Sequence, residues 1–130
     1  MPNVIVEYTD NLAAEGRIPA LLRMIATRLA DSGGVFPVGG IRVRAHRLTE
    51  YVVADGADDY AFVVVTAKIG PGRAAAFKRE FFGGLFEAIQ AHFAGAFKRR
   101  YLSLALYVEE ADEAGSFKAN NIHDKFRSVS

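Results

Sequence analysis

The stretch YAFVVVTAKIGPGRAAAFKREFFGGLFEAIQAHFAGAFKRRYLSLALYVE, residues 60–109, decides the fold. Tyr60 to Ile69 is almost wholly apolar, the mark of a strand buried on both faces. Gly70-Pro71-Gly72 breaks it. The apolar period then changes: Phe77, Phe81, Leu85, Ile89, Phe93 and Phe97 recur every four residues, with Phe82 and Phe86 beside them. That spacing predicts one long helix from Arg73 to Phe97. Lys98-Arg99-Arg100 follows, where cations complement a helix carboxyl end. Tyr101 to Glu109 returns to a strand pattern, so the segment reads β-α-β. Inside the helix, Gly83-Gly84 costs about 2 kcal/mol relative to two alanines; close backbone packing would explain it.

The same order stands upstream. Val4-Ile5-Val6-Glu7-Tyr8 suits a strand. Thr9-Asp10-Asn11 supplies turn chemistry, and Pro19 fits the first turn of a helix whose apolar residues are Ile18, Leu22, Ile25 and Leu29. Asp31-Ser32-Gly33-Gly34 ends that helix at Ala30. Beyond Pro37 and Gly39-Gly40, Ile41 to Val53 is extended, with Ile41, Val43 and Ala45 on one face and Arg42, Arg44 and His46 on the other. Ala54 to Asp59 is turn-rich, and Glu110 to Ser130 is a polar tail carrying Phe117, Ile122 and Phe126.

The expectation is a single α+β domain over 1–130, with pseudo-repeat halves of about 1–54 and 55–130. Two βαβ units, each right-handed with parallel strands, form a four-stranded sheet with both helices on one face. The other face would be bare in a monomer, which predicts that subunits pack together. Composition points the same way: 51% of the 130 residues are hydrophobic and ten are Phe, a surplus for so small a surface.

Sixteen Lys and Arg against fifteen Asp and Glu give a net charge of +1, which argues against nucleic-acid binding. The run Ala61 to Ala67 is too short to cross a bilayer, and MPNVIVEYTD lacks the features of a signal peptide, so the cytoplasm is expected. The chain has no cysteine, which removes disulfides and thiol catalysis. His46, His92 and His123 show no metal-ligand spacing, so no metal is expected. Gly70-x-Gly72-x-x-Ala75 imitates a dinucleotide fingerprint, but Pro71 lies in the turn and no acidic residue closes a following strand at the required distance.

Pro2 is the most informative residue. Initiator methionine is normally removed before a small second residue, which would leave a prolyl secondary amine at the head of a strand. An α-amine titrates near physiological pH, and burial or nearby cations lower its pKa further. Such an amine can serve as general base and then as the conjugate acid. Arg42 and Arg44 project from one strand face, and Arg73 follows Gly70-Pro71-Gly72 where a helix amino end would attract anions. An arginine there suits a bidentate grip on a carboxylate. Each arginine taken alone reads better as a solvated surface residue. Together with Pro2 they would suit a small polyanionic acid.

The segments MPNVIVEYTDN, VFPVGGIRVRAH, ADGADDYAFV, KIGPGR and FKANNIHDKF run from end to end of the chain, and their set resembles the 5-carboxymethyl-2-hydroxymuconate isomerases of the tautomerase superfamily. The resemblance implies a homotrimer of βαβ-βαβ subunits without a cofactor. It implies Pro2 as the catalytic base, Arg42 and Arg73 as substrate-binding residues, and a small polycarboxylate substrate from bacterial homoprotocatechuate degradation. Arg44 is a further candidate from strand geometry. Asn120, Asn121 and His123 match a motif expected to be structural. Two rivals stand beside this reading: a tautomerase of another enol acid, such as a two-carboxylate 2-hydroxymuconate or phenylpyruvate, and a non-catalytic trimeric binding protein of the same fold.

Overall fold

A computed structural model of the chain describes residues 1–127, so the last three residues of the expected polar tail lie outside the described residues. The strands are β1 (Asn3–Thr9), β2 (Arg42–Leu48), β3 (Ala61–Ile69) and β4 (Leu102–Glu110). The helices are α1 (Ile18–Ala30), α2 (Ala75–His92) and α3 (Ala94–Arg99). Short 3-10 turns occupy Asp10–Leu12, Val38–Gly40 and Ile122–Phe126. The sheet order is β2-β1-β3-β4. β1 pairs parallel with β2, β3 parallel with β4, and β1 antiparallel with β3. This is the expected pair of βαβ units, joined through β1 and β3.

Alternation along the strands puts the core on one face. Val4, Val6 and Tyr8 of β1 and Ala61, Val63, Val65, Ala67 and Ile69 of β3 are buried under the helices. Against them pack Leu21, Ile25 and Leu29 of α1 and Phe82, Leu85 and Ile89 of α2. The opposite face carries Ile5, Phe62 and Val64 half-buried and Lys68 exposed. β3 is therefore not buried on both faces: one helical layer covers its odd-numbered residues, and the even-numbered ones lie on the bare side.

Other boundaries also differ from the sequence pattern. The second strand ends at Leu48 rather than Val53 because its partner β1 stops at Thr9, opposite Leu48. Tyr51 then turns aside, its hydroxyl donating to Asp10 Oδ1 at 2.7 Å and its ring meeting Phe62 edge-on. The long helix starts at Ala75, after Gly72 at φ +103°, and breaks at Phe93 (φ −99°, ψ 10°). A strict four-residue spacing overshoots each turn by about 40°. The buried row accordingly runs through Phe82, Leu85, Ile89, Phe93 and Ala96, while Phe97 is exposed. Gly83 and Gly84 do not serve close backbone packing: a Cβ on Gly83 would meet nothing within 4 Å, and one on Gly84 would meet only the Arg28 guanidinium.

Candidate active site

Parallel pairing of β1 with β2 brings their amino ends together, and antiparallel pairing with β3 adds that strand's carboxyl end. Asn3 thus lies opposite both Arg42 and Lys68. The Arg42 backbone N–H donates to the Pro2 carbonyl at 3.0 Å, and Pro2 itself is buried. The chain's first residues therefore sit at the same rim of the sheet as Arg42.

The approach to β2 is shaped by close contacts. Arg42 Nη1 donates to the Gly39 carbonyl at 3.2 Å. Asn120 Nδ2 donates to that same carbonyl at 2.8 Å, which ties the carboxyl-terminal segment to this loop. A Cβ on Gly39 would stand 2.7 Å from His123 Nδ1 and 2.8 Å from His123 Cα, so the tail rests directly on a glycine surface. The expected structural part for Asn120 and His123 is visible here. The "polar tail" expected from the sequence is in this segment a docked 3-10 turn.

Arg73 arrives from the β3–α2 loop. Its Nη1 donates to the Gly70 carbonyl at 2.9 Å and its Nη2 to the Val35 carbonyl at 3.0 Å, while its Cζ lies 4.6 Å above the Phe36 ring. Phe36 is buried and braced by Phe77, Phe81 and Phe82 from the first turns of α2. The fork expected to clamp a carboxylate is thus turned onto the protein's own carbonyls. Because α2 begins two residues later, Arg73 is not part of a helix amino end; it is a fixed positive charge.

Those cations converge on the amino terminus. Partial burial, then the positive charges of Lys118, Arg73 and Arg42, hold the pKa of the terminal ammonium below its ordinary value. Pro2, Arg42 and Arg73 are thus brought together. Arg44 stands apart, exposed farther along β2, with Nη1 3.4 Å from Asn3 Oδ1. His46 is exposed, and His92 is engaged elsewhere, its Nε2 2.7 Å from the Gly16 carbonyl oxygen.

Lys118 is the residue the sequence reading missed. It lines, with Met1, Asn3, Lys68, Gly70 and Phe117, a cleft of about 410 Å³. The signal was present: Lys68 and Lys118 are the lysines of KIGPGR and of the leading FKAN, segments already singled out. What was missing was the folding of the tail back to the first strand.

The 5-carboxymethyl-2-hydroxymuconate isomerase family model matches residues 2–126. The chain is 40% identical over 127 residues to the 5-carboxymethyl-2-hydroxymuconate Delta-isomerase of Escherichia coli, covering 98% of this chain and 100% of that protein. A crystal structure of a 5-carboxymethyl-2-hydroxymuconate isomerase from Deinococcus radiodurans R1 superposes with a TM-score of 0.93 at 44% identity, over 98% of this chain and 95% of that one. A fused 4-OT wild type symmetric trimer shares the fold at 18% identity, with a TM-score of 0.62 over 89% of this chain and 92% of that one.

Proposed function

This chain belongs to the 5-carboxymethyl-2-hydroxymuconate isomerase family and is an isomerase, and from that premise we propose that it ketonises 5-carboxymethyl-2-hydroxymuconate with the nitrogen of Pro2, freed of Met1, as the proton carrier. One observation carries the assignment of the base: the amino terminus is partly buried among Lys118, Arg73 and Arg42, which disfavour its protonated form. While Met1 is attached, the Pro2 nitrogen is a tertiary amide and cannot act as a base. Removal of Met1 creates a secondary amine beside the same cations, which favour its neutral, proton-accepting form.

The substrate is a 2-hydroxy dienoate with three carboxylates. Pro2 takes the 2-hydroxyl proton, the oxygen's electrons form the C2 carbonyl, the double bonds shift, and carbon 5 receives the proton back from the prolinium. One O–H bond breaks and one C–H bond forms. The proton balance closes on Pro2 alone, and no electrons are exchanged with a second reactant. Lys118 holds a carboxylate at the cleft, and Arg42 holds another at the rim beside Pro2. Arg73, anchored on its own loop, stabilises the negative charge that spreads over the dienolate. Arg44, exposed farther along β2, has no part in this step.

The bare sheet face, with Ile5, Phe62 and Val64 only half-buried, supports a homotrimer built on that face. Its working compartment in this reading is the cytoplasm.

The test is loss of the dienol absorbance with wild-type protein and Pro2→Ala, the intact mass of each establishing that Met1 is gone. A fall in turnover of at least about a hundredfold is expected, the usual contribution of a positioned acid–base group. Unchanged turnover in Pro2→Ala refutes the base. A wild type without Met1 that does not accelerate ketonisation sinks the activity. Faster turnover of two-carboxylate 2-hydroxymuconate would instead identify that acid as the substrate.

A further inference from the structure

We propose that Asn120 is a substrate-binding residue whose second amide N–H grips the carboxylate beside the enol carbon once Met1 has left. The proposal rests on the reading of Pro2 as the proton carrier. The Asn120 amide is held in one orientation, because its Oδ1 accepts the Ile122 backbone N–H at 2.7 Å. One Nδ2 hydrogen is spent on the Gly39 carbonyl at 2.8 Å. The other points at the Met1 sulfur, 3.3 Å away. A thioether is a weak acceptor, so this donor has no strong partner.

Met1 is bonded directly to the Pro2 nitrogen. Its side chain therefore fills the space that a molecule hydrogen-bonded to the freed nitrogen would enter. Gly40 helps to make that space: a Cβ there would stand 2.7 Å from Met1 Cγ and 3.3 Å from Met1 Cα. Cleavage thus does two things at once. It exposes the amine, and it vacates a small chamber with Gly40 on one side and an aimed, partnerless N–H on the other. With the 2-hydroxyl of the substrate on the proline nitrogen, the adjoining carboxylate is the group that extends into this chamber. A carboxylate oxygen accepts far more strongly than the sulfur it replaces.

Kinetics of wild type, Asn120→Asp and Gly40→Ala test this. Asn120→Asp keeps the acceptor for Ile122 but deletes both Nδ2 hydrogens, the one on Gly39 included, and sets an anion against the carboxylate. KM is expected to rise at least about tenfold, the loss of one charge-assisted hydrogen bond, with kcat changed much less. Gly40→Ala leaves the tail contacts intact and narrows the same chamber, so KM rises again. Gly40 is not in the left-handed region, so alanine there adds bulk without backbone strain.

A binding measurement separates this donor from a merely structural one. In Pro2→Ala protein lacking Met1, NMR of labelled side-chain amides is followed as 2-oxoadipate, a stable 2-oxo acid, is added. One Asn120 Nδ2 proton shifts, and the proton on Gly39 stays. Unchanged KM in Asn120→Asp, a loss confined to kcat, or an unmoved Asn120 amide while Arg42 responds would each overturn the proposal. Should Asn120→Asp fail to fold, Gly40→Ala and the amide shifts decide. Binding of 2-oxoadipate needs no proton transfer, so failure of Asn120 and failure of Pro2 as the base are told apart.

Discussion

Gly39→Ala should release the carboxyl-terminal segment from the site without unfolding the core. The added Cβ would sit 2.7 Å from His123 Nδ1, 2.8 Å from His123 Cα and 2.9 Å from His123 N. The imidazole could rotate away, but the backbone atoms cannot unless the segment moves. Overpacking of this kind costs about 1–3 kcal/mol when the structure must absorb it. Against it stands the Asn120–Gly39 hydrogen bond, whose net worth is about 1 kcal/mol, and the contact of an exposed 3-10 turn. The cheaper response is therefore for the tail to leave, carrying Asn120 and Lys118 out of place. The expected results are faster tryptic cleavage at Lys118 and Lys125, a raised KM, and a melting temperature lowered by no more than a few degrees. Full protection from trypsin together with a large fall in melting temperature would refute the reasoning, because the clash would then have been absorbed by the sheet.

Gly83→Ala should do the opposite. The position is mid-helix and exposed, and a Cβ there meets nothing within 4 Å. Stability is expected to rise by about 0.5–1 kcal/mol, read as a melting temperature a few degrees higher with unchanged KM; a lower melting temperature would show that the helix needs the glycine. Lys118→Gln should move the rising limb of kcat/KM to higher pH. Lys118 is one of the positive charges that lower the pKa of the amine, so its loss lets that pKa climb toward the ordinary value. The linkage has a definite sign: between the lowered folded pKa and the ordinary one, the unfolded chain binds more protons, so stability rises with pH across that window. In Lys118→Gln that rise should flatten, and an unshifted pH profile would remove Lys118 from the site.

Strand and helix order were legible because each element announced itself locally. Val4 to Tyr8 and Tyr60 to Ile69 are β-branched and aromatic runs, and the spacing of α1 is that of an amphipathic helix. The arginine face of β2 followed from simple alternation. Two kinds of information were not local. The end of β2 depends on where β1 stops, which only the pairing of Thr9 with Leu48 reveals. The part proposed for Lys118 and Asn120 depends on a tail whose own pattern is nearly featureless and which docks where a side chain is missing, at Gly39. Arg73 shows a third limit. Its position in Gly70-Pro71-Gly72-Arg73 marked it as a cation near the site, but not that Gly70 and Val35 would occupy its terminal nitrogens.

The convergence of positive charge has a thermodynamic consequence that joins the fold to the chemistry. Arg42 comes from β2, Lys68 from β3, Arg73 from the following loop and Lys118 from the tail, so the fold gathers cations from four separate segments around one end of the sheet. Among the described residues, none of these four forms an ion pair with a carboxylate; the ion pairs are those of Lys78, Arg99, Arg100 and Arg127. Mutual repulsion at this rim is therefore not relieved by direct ion pairing, although Asp112 also lines the cleft. A neutral amine relieves part of it, which adds to the larger effect of burial in disfavouring the protonated amino terminus. A polycarboxylate relieves more, and as it does so it cancels the charges that hold the pKa of the amine down. With Pro2 as the proposed base, substrate binding would thus raise its basicity at the moment when a proton has to be taken from the 2-hydroxyl. In the proposed reaction the field that lowers the basicity of the amine in the free protein is thus cancelled in the complex.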